Sequence, residues 1–201
     1  MKRVSTRFWL CASAATASLI VVLNTHSAPQ TGRQAAPKRT NELTLAKLRP
    51  GMDSLRRAQR VYRRLEPQPN DKGAFVLHNM CYRNDLFLET DSAGGIKTIR
   101  LADNRSNAMV DCYEKGPTQP PLLATGLGLT TFDSVSKVIA LYGEPDSRSP
   151  STKNGQPLEL LYYAFDWAGP DVPQVMEVVC TAEKEGKPGQ VVEITLAAGS
   201  L

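Results

Sequence analysis

Apolar residues recur at three- and four-residue spacing between positions 135 and 142, which predicts one stripe of an amphipathic helix. The stripe consists of Val135, Val138, Ile139, Leu141 and Tyr142. Ser134 stands where its hydroxyl can accept from the first free amides of this helix. The helix should end at Gly143, because glycine takes the left-handed conformation at little cost and Pro145 cannot extend the hydrogen-bond ladder.

A weaker copy of this pattern lies 80 positions upstream. Its residues are Asp53, Ser54, Leu55, Ala58, Val61 and Tyr62, against Asp133, Ser134, Val135, Val138, Leu141 and Tyr142. The copy departs at its end, since Arg63 stands where Gly143 stops the other helix. A second match, at a difference of 95, pairs Ile96, Ile99 and Leu101 with Val191, Ile194 and Leu196. Together the two matches predict a duplicated module.

Three short stretches rich in β-branched, leucine and aromatic residues follow each predicted helix. They span 73–82, 85–91 and 96–102 in the first half, and 158–167, 175–182 and 191–197 in the second. In the last of them apolar and polar residues alternate, as in a sheet with one covered face. We predict an α+β fold of two tandem repeats, each a helix packed on a three-stranded antiparallel meander.

The start of the chain is typical of a secretory signal peptide. Three basic residues precede an uncharged apolar run over 8–23, and small residues follow around Ala28. The run is shorter than the roughly 20 residues that cross a bilayer, so we predict cleavage and a periplasmic or secreted protein. An uncleaved N-terminal membrane anchor is the alternative, because Pro29 directly after the expected cleavage site is unfavourable.

Composition and the two matching patterns divide the chain into five segments. They are a signal peptide or N-terminal anchor over 1–28, a flexible linker over 29–42, a first α+β repeat over 43–113, a Pro-rich connector over 114–125 and a second α+β repeat over 126–201. The linker contains Pro, Gln, Thr and Gly with almost no large apolar side chains. Each repeat alone would have a thin core, so we expect the two to pack as one unit.

Charge is distributed unevenly along the chain. Residues 29–70 hold ten Lys and Arg against three acids, whereas 71–201 hold eleven against seventeen. Five arginines are spread over one side of the first predicted helix, namely Arg56, Arg57, Arg60, Arg63 and Arg64. This side is either a solvated helix face or a contact surface for anionic lipid headgroups or an acidic protein. We do not expect an exported chain to bind nucleic acid.

Three cysteines follow the apolar run, at Cys81, Cys112 and Cys180. In an oxidising compartment two of them are expected to pair. We predict a disulfide between Cys81 and Cys112 because both lie in the first half of the chain. Cys180 shares its strand parity with Met176 and Val178, so we expect it to be a small buried residue.

Candidate catalytic and metal-binding residues are sparse. His78 is the sole histidine after the predicted signal peptide, and a nucleophilic triad needs a base beside its Ser or Cys. His78 and Cys81 lie three residues apart in a predicted strand and should point to opposite faces. A zinc site needs four ligands, and the chain has no phosphate-binding loop. We therefore predict no enzymatic activity, no metal site and no cofactor.

A set of aromatic side chains on the predicted strands is a better candidate for function. Alternation places Phe87 opposite Leu86 and Leu88, and therefore on the open face of the sheet. Aromatic residues on such a face are favoured anchors for a partner protein. The predicted partner-binding residues are Tyr82, Phe87, Tyr163, Phe165 and Trp167. The alternative is that most of them close the core between the two halves.

The run over 126–146, GLGLTTFDSVSKVIALYGEPD, with the three predicted strands after it, resembles the repeat of two related groups of bacterial envelope proteins. They are the β-lactamase inhibitor protein family, with two copies, and the small outer-membrane lipoprotein of the β-barrel assembly machinery, with one. The resemblance covers roughly residues 45–201. It implies a non-enzymatic protein that contacts another protein through a sheet face or loops. The lipid-attachment cysteine of the lipoprotein group is missing here.

We predict a non-catalytic extracytoplasmic protein-binding module, either an accessory of envelope assembly or an inhibitor-like protein. Its expected partner is another envelope or secreted protein, with anionic lipid as a second partner. One alternative is a periplasmic protein that binds lipid or another anionic ligand through the basic first helix. The other alternative is an unrecognised hydrolase.

Overall fold

Two short helices and eight strands are described by the computed structural model, which covers residues 40–68, 71, 73–104, 122–165, 174–184, 186 and 188–199. The helices are α1 (Leu55–Val61) and α2 (Val135–Tyr142). The strands are β1 (Glu66–Pro67), β2 (Ala74–Asn79), β3 (Asn84–Thr90), β4 (Ile96–Asp103), β5 (Ser147–Lys153), β6 (Gln156–Phe165), β7 (Gln174–Thr181) and β8 (Val191–Ala198). The predicted signal peptide or anchor, most of the linker and most of the connector lie outside the described residues. Neither described helix is long and apolar enough to cross a membrane.

All eight strands form one antiparallel sheet in the order β1-β2-β3-β4-β8-β7-β6-β5. At its centre β4 pairs with β8, so that Ile99 lies beside Leu196 and Leu101 beside Ile194. Apolar side chains directly opposite one another stabilise such pairing. The sheet therefore continues without interruption from the first half of the chain to the second.

The predicted fold class is wrong. The structure is mostly β, with 12% helix and a single eight-stranded sheet, and not two repeats that each pack a helix on a three-stranded meander. Four strands follow each helix. The two strands that the sequence prediction missed, β1 and β5, lie at the edges of the sheet and contain Pro67 and Pro150. Proline cannot donate to a central ladder but is tolerated at an edge. Neither strand contains a large apolar residue, so a search for apolar runs does not find them.

The helix α2 begins and ends where the sequence predicts. The Ser134 hydroxyl accepts from the Lys137 amide at 3.2 Å, and Gly143 ends the helix with a φ of 77°. The helix α1 also begins directly after a serine, Ser54, but the side chain of this serine makes no capping hydrogen bond. The sequence pattern that the two helix starts share therefore does not produce the same cap.

The core lies between the helices and one face of the sheet, which we call the core face. Alternate residues of each strand point to this face, as the two-residue period of a strand requires. The strand residues fully buried there include Leu86, Leu88, Ile99, Leu101, Leu161, Tyr163, Met176, Val178, Ile194 and Leu196. The helices add Ala58, Tyr62, Val138 and Tyr142. Each fully buried Leu or Ile contributes roughly 1.5–3 kcal/mol, so this face holds the helices to the sheet.

A buried carboxylate ties the start of the folded chain to the segment before α2. Glu42 is 2% exposed, and its carboxylate accepts five hydrogen bonds of 2.8 to 3.1 Å. The donors are the backbone amides of Leu43, Thr44, Gly126 and Leu127 and the hydroxyl of Tyr142. These bonds offset the cost of burying the charge. Glu42, the last residue of the predicted linker, therefore belongs to the folded domain.

Candidate protein-binding face

The face of the sheet opposite the core face carries three rows of residues that cross the strands, and we call it the polar face. The central row is Glu66, Val76, Phe87, Arg100, Thr195, Glu177, Tyr162 and Ser147, one residue from each strand. One flanking row is His78, Asp85, Ala102, Glu193, Val179, Leu160 and Ser149. The other is Ala74, Glu89, Thr98, Ala197, Val175 and Ala164.

Aromatic and charged side chains share the middle of the central row. Phe87, Glu177 and Tyr162 are partly exposed, and Arg100 keeps 35% of its side-chain area exposed. Arg100 and Glu177 are separated by Thr195, which is buried. Aromatic residues and arginine are enriched at the centres of protein interfaces, so this composition is typical of a protein-binding patch.

Two neighbours hold Arg100 in place. Its guanidinium carbon lies 4.1 Å from the centroid of the Phe87 ring, and its Nη1 lies 3.3 Å from Oε2 of Glu193. Lys153 approaches the same Glu193 oxygen at 3.0 Å. Cation–π stacking and the shared carboxylate restrict the rotamers of Arg100 and Phe87. A partner would therefore meet a surface that is already ordered, which lowers the entropy lost on binding.

Glu177, on β7 in the central row, is not held by neighbouring side chains as Arg100 is. Within the described residues it makes no hydrogen bond or ion pair, and it lies diagonally across the β7–β8 pair from Glu193. Burial, and then the charge of Glu193, raise the pKa of Glu177 above its ordinary value. Both causes disfavour the ionised carboxylate, so a cation from another molecule would be favourable at this position.

His78 and Asp85 form a polar pair at one end of a flanking row. His78 Nδ1 lies 3.0 Å from Asp85 Oδ1, and Asn104 Nδ2 donates to Asp85 Oδ2 at 2.6 Å. A catalytic hydroxyl or thiol would have to lie within hydrogen-bond distance of His78 for the imidazole to act as its base. Across the described residues, no hydroxyl or thiol is hydrogen-bonded to His78. The same part of the chain contains no group of three His, Cys, Asp or Glu side chains that could hold a metal ion.

A groove of about 380 Å³ opens at the end of the polar face. Its lining includes Glu89, Thr98 and Ala197 from the third row, together with Asp71 and Lys97. Sites for small apolar ligands are mostly lined by hydrophobic side chains. This groove has charges of both signs and therefore suits a polar segment of a partner better than such a ligand.

The predicted partner-binding aromatics do not share one surface. Phe87 lies on the polar face between the buried Leu86 and Leu88, as its alternation predicts. Tyr82 is partly exposed in the turn between β2 and β3. Trp167 lies outside the described residues.

Tyr163 and Phe165 require a correction, because both are buried on the core face. Their ring centroids lie 5.8 and 6.2 Å from that of Tyr142, and the Tyr163 hydroxyl donates to the carbonyl of Gly143 at 3.1 Å. Alternation predicts that the two residues share a face but does not say which one. The position of α2 decides the face, because the two rings pack against Tyr142 at the end of this helix. Tyr163 and Phe165 are therefore not available to a partner.

The two described cysteines differ in state. Cys81 is disulfide-bonded, and Cys180 is a free thiol buried in the core, as its strand parity predicts. Burial raises the pKa of Cys180 to about 12, so the thiol stays protonated and unreactive. Cys112 lies outside the described residues, and its pairing with Cys81 stays a prediction.

All five candidate arginines are exposed, and we call the surface formed by Arg56, Arg57, Arg60, Arg63 and Arg64 the arginine face. The helix α1 ends at Val61, so Arg63 and Arg64 lie in the turn just beyond it and not on the helix as predicted. The charges are nevertheless concentrated at one place on the surface, because this turn follows the helix directly.

Sequence reasoning missed Arg100, Tyr162 and Glu177, which share the central row with Phe87. A signal was present, since each of these residues is flanked on its strand by apolar residues that prove to be buried. The missing information was the register of β4 against β8, which places Arg100 beside Thr195. Such long-range pairing leaves no local pattern in the sequence.

Comparisons with protein-family models, with curated proteins and with solved structures find no match to this chain. The resemblance of the run over 126–146 to the β-lactamase inhibitor proteins and the assembly lipoprotein therefore stays a prediction.

Proposed function

We propose that this protein is a non-catalytic extracytoplasmic protein-binding module that binds its partner through the polar face of its sheet. The proposal depends on the central row, which presents two pairs of partly exposed residues, Phe87 with Arg100 on β3 and β4, and Tyr162 with Glu177 on β6 and β7. The buried Thr195 of β8 lies between the two pairs. The backbone of every residue in this row is fixed by the sheet. Binding would therefore lose little conformational entropy, which favours a specific and stable complex.

The size of the polar face fits a protein partner. Strands spaced by about 4.8 Å and alternate residues spaced by about 6.8 Å give the three rows a footprint of about 30 Å by 20 Å, on the order of 600 Å². Some positions within this footprint, Val76, Thr195 and Val175 among them, are themselves buried. A standard interface covers about 800 Å² on each partner. The groove beside Glu89 extends the surface towards that value.

The charges of the polar face favour a partner that supplies a basic side chain. Glu193 already has two cations within ion-pair distance, whereas Glu177 has none in the described part of the chain. A lysine or arginine of the partner placed beside Tyr162 would meet both a carboxylate and an aromatic ring. We expect the association rate to fall with increasing salt.

Two features support a location outside the cytoplasm. The apolar run over 8–23 with basic residues before it is typical of an export signal. Cys81 is disulfide-bonded, and disulfides persist mainly in oxidising compartments. The proposed partner is accordingly an envelope or secreted protein. Its identity would distinguish an accessory of envelope assembly from an inhibitor of a secreted enzyme.

Capture from a native envelope extract on the immobilised full chain tests the proposal. A partner held by the wild type should be lost with Phe87→Ala, which removes the aromatic anchor, and with Glu177→Lys, which inverts the uncompensated charge. Each change should weaken the affinity about 30-fold or more, because loss of a central anchor costs about 2 kcal/mol. Calorimetric titration with the purified partner then gives the two dissociation constants.

Matched controls come from outside the polar face. Leu127→Ala changes an exposed apolar residue in the loop before α2, and Glu183→Lys inverts an exposed acid beyond β7. Both variants should retain the partner. Proteins that bind the wild type and all four variants equally would count against the proposal, and so would an extract in which no capture depends on Phe87 or Glu177.

A further inference from the structure

The outer side of α1 concentrates positive charge. At 100° per residue, Arg56, Arg57 and Arg60 fall on one arc of about 100°, on the side of the helix away from Ala58. All three arginines are exposed, whereas Ala58 is buried in the core. The rest of the arginine face follows in the turn after the helix.

In the part of the chain that the structure describes, most of this charge has no acidic partner. Arg57 pairs with Asp53 at 2.9 Å. The arginines that make no hydrogen bond or ion pair within the described residues are Arg56, Arg60, Arg63 and Arg64. Basic and acidic residues are normally interspersed on a soluble surface, so an uncompensated cluster of four creates a strong local positive potential.

Two large apolar side chains are exposed just before α1 and at its last residue. Met52, in the turn before α1, is 65% exposed, and Val61, the last residue of the helix, is 42% exposed. Val61 lies one turn after Arg57 and therefore on the same side of α1. Apolar side chains flanked by arginines are the composition of surfaces that lie on a lipid bilayer.

We propose that the arginine face, together with Met52 and Val61, binds the anionic phospholipid headgroups of a membrane surface. Guanidinium groups pair with phosphate oxygens through two parallel hydrogen bonds, so the arginines supply the electrostatic attraction. Met52 and Val61 reach into the boundary between headgroups and acyl chains. Their exposure favours a bilayer over a purely ionic partner such as nucleic acid.

This surface is separate from the proposed protein-binding face. The helix α1 packs on the core side of the sheet through Ala58 and Tyr62, so its arginines point away from the sheet. The polar face lies on the other side of the sheet. Membrane contact therefore leaves Phe87 and Glu177 accessible, and the two proposals can fail independently.

Vesicle flotation of the full chain tests membrane binding. Wild type and the double variant Arg56→Gln/Arg60→Gln are compared on vesicles of phosphatidylcholine with phosphatidylglycerol and on vesicles of phosphatidylcholine alone. The measured quantity is the partition coefficient on the anionic vesicles divided by that on phosphatidylcholine alone. Any contribution of the apolar run over 8–23 to membrane binding cancels in this ratio. The double variant should lower this ratio roughly 30-fold, because each basic residue near an anionic surface contributes about a fivefold factor.

The matched control is Lys153→Gln/Lys184→Gln, which removes the same charge from exposed positions elsewhere. This control should leave the ratio almost unchanged, and Met52→Ser should lower partition to the anionic vesicles. Phe87→Ala should have no effect on vesicle binding. Equal losses in the two double variants would reduce the effect to net charge and overturn the proposal. A wild-type ratio near one would overturn it as well.

Discussion

The segments that begin α1 and α2 share the contacts of an aspartate and a backbone bridge but differ in their surroundings. In each, an aspartate two residues before the helix accepts from a backbone amide earlier in the chain at 2.8 Å, Asp53 from Arg49 and Asp133 from Thr130. Each aspartate also pairs with the basic residue four positions later, at 2.9 Å in α1 and 2.8 Å in α2. Each serine that follows bridges to the loop before the last strand of its half.

The surroundings differ at the other end of each helix. The hydroxyl of Tyr62 donates to a single backbone carbonyl, that of Ala46. The hydroxyl of Tyr142 is bonded to both the Glu42 carboxylate and the Thr125 hydroxyl. The helix α2 is therefore tied into a buried polar network, whereas α1 is held mainly by apolar packing. We therefore expect α2 to contribute more to stability than α1.

The largest expected effect is that of Glu42→Ala. Removing this carboxylate, which is 2% exposed, takes away the acceptor of the Leu43, Thr44 and Leu127 amides. The Gly126 amide keeps the Thr44 carbonyl, and the Tyr142 hydroxyl keeps Thr125. The change should lower the free energy of unfolding by about 3–5 kcal/mol. Among the described residues no such buried acid lies beside α1, where Tyr62→Phe removes one hydrogen bond and should cost about 1 kcal/mol. Urea denaturation measures both values.

Glu66→Ala is the control for this change, since Glu66 is exposed at the edge of the sheet, and it should stay within about 0.5 kcal/mol of the wild type. If Glu42→Ala cost no more than Tyr62→Phe, the buried network would not distinguish the two helices.

The second effect is a loss of stability at alkaline pH. Burial raises the pKa of Tyr62 to about 12, whereas an unfolded tyrosine ionises near pH 10. The folded state therefore keeps this phenol neutral where the unfolded state ionises it. Its contribution is complete below about pH 10 and is lost as the pH rises towards 12, a change of roughly 2–3 kcal/mol.

The contribution is measured from the unfolding free energies of the wild type and Tyr62→Phe at about pH 9 and pH 12. Tyr142 and Cys180 titrate in both proteins, so their effect cancels when the two losses are compared. Tyr142 has its pKa raised in the same direction, chiefly by burial. The wild type should lose more stability than Tyr62→Phe over this interval. Identical losses would show that the Tyr62 phenol is not held neutral by the fold.

Short sequence patterns predict the local features of this fold, but they do not predict the contacts that distinguish the two helices. Ser134 and Gly143 mark the two ends of α2 by their own chemistry, and stretches rich in β-branched, leucine and aromatic residues locate six of the eight strands. The edge strands β1 and β5 lack this signal, because β1 has only two residues and β5 contains no large apolar residue.

The candidate site could be predicted less completely than the strands. Alternation assigns Phe87 to the polar face, yet the same rule left Tyr163 and Phe165 undecided until the position of α2 was known. Glu42 is a lone acid in a polar segment, and one of its donors, the Gly126 amide, lies 84 positions away. The neighbouring residues do not indicate which face Tyr163 and Phe165 occupy or that Glu42 is buried, because both depend on long-range packing.

The smallest effect separates the two helix starts themselves. Ser134→Ala removes the hydroxyl that accepts from the Lys137 amide and should cost about 1 kcal/mol, whereas Ser54→Ala removes no capping bond and should cost less than about half as much. Urea denaturation of both variants measures the difference. Ser136→Ala, at an exposed position within α2, serves as the control and should be neutral or slightly stabilising. Equal costs at Ser54 and Ser134 would mean that the aspartates and the loop bridges alone define both starts, and that the cap contributes nothing to the greater stability expected of α2.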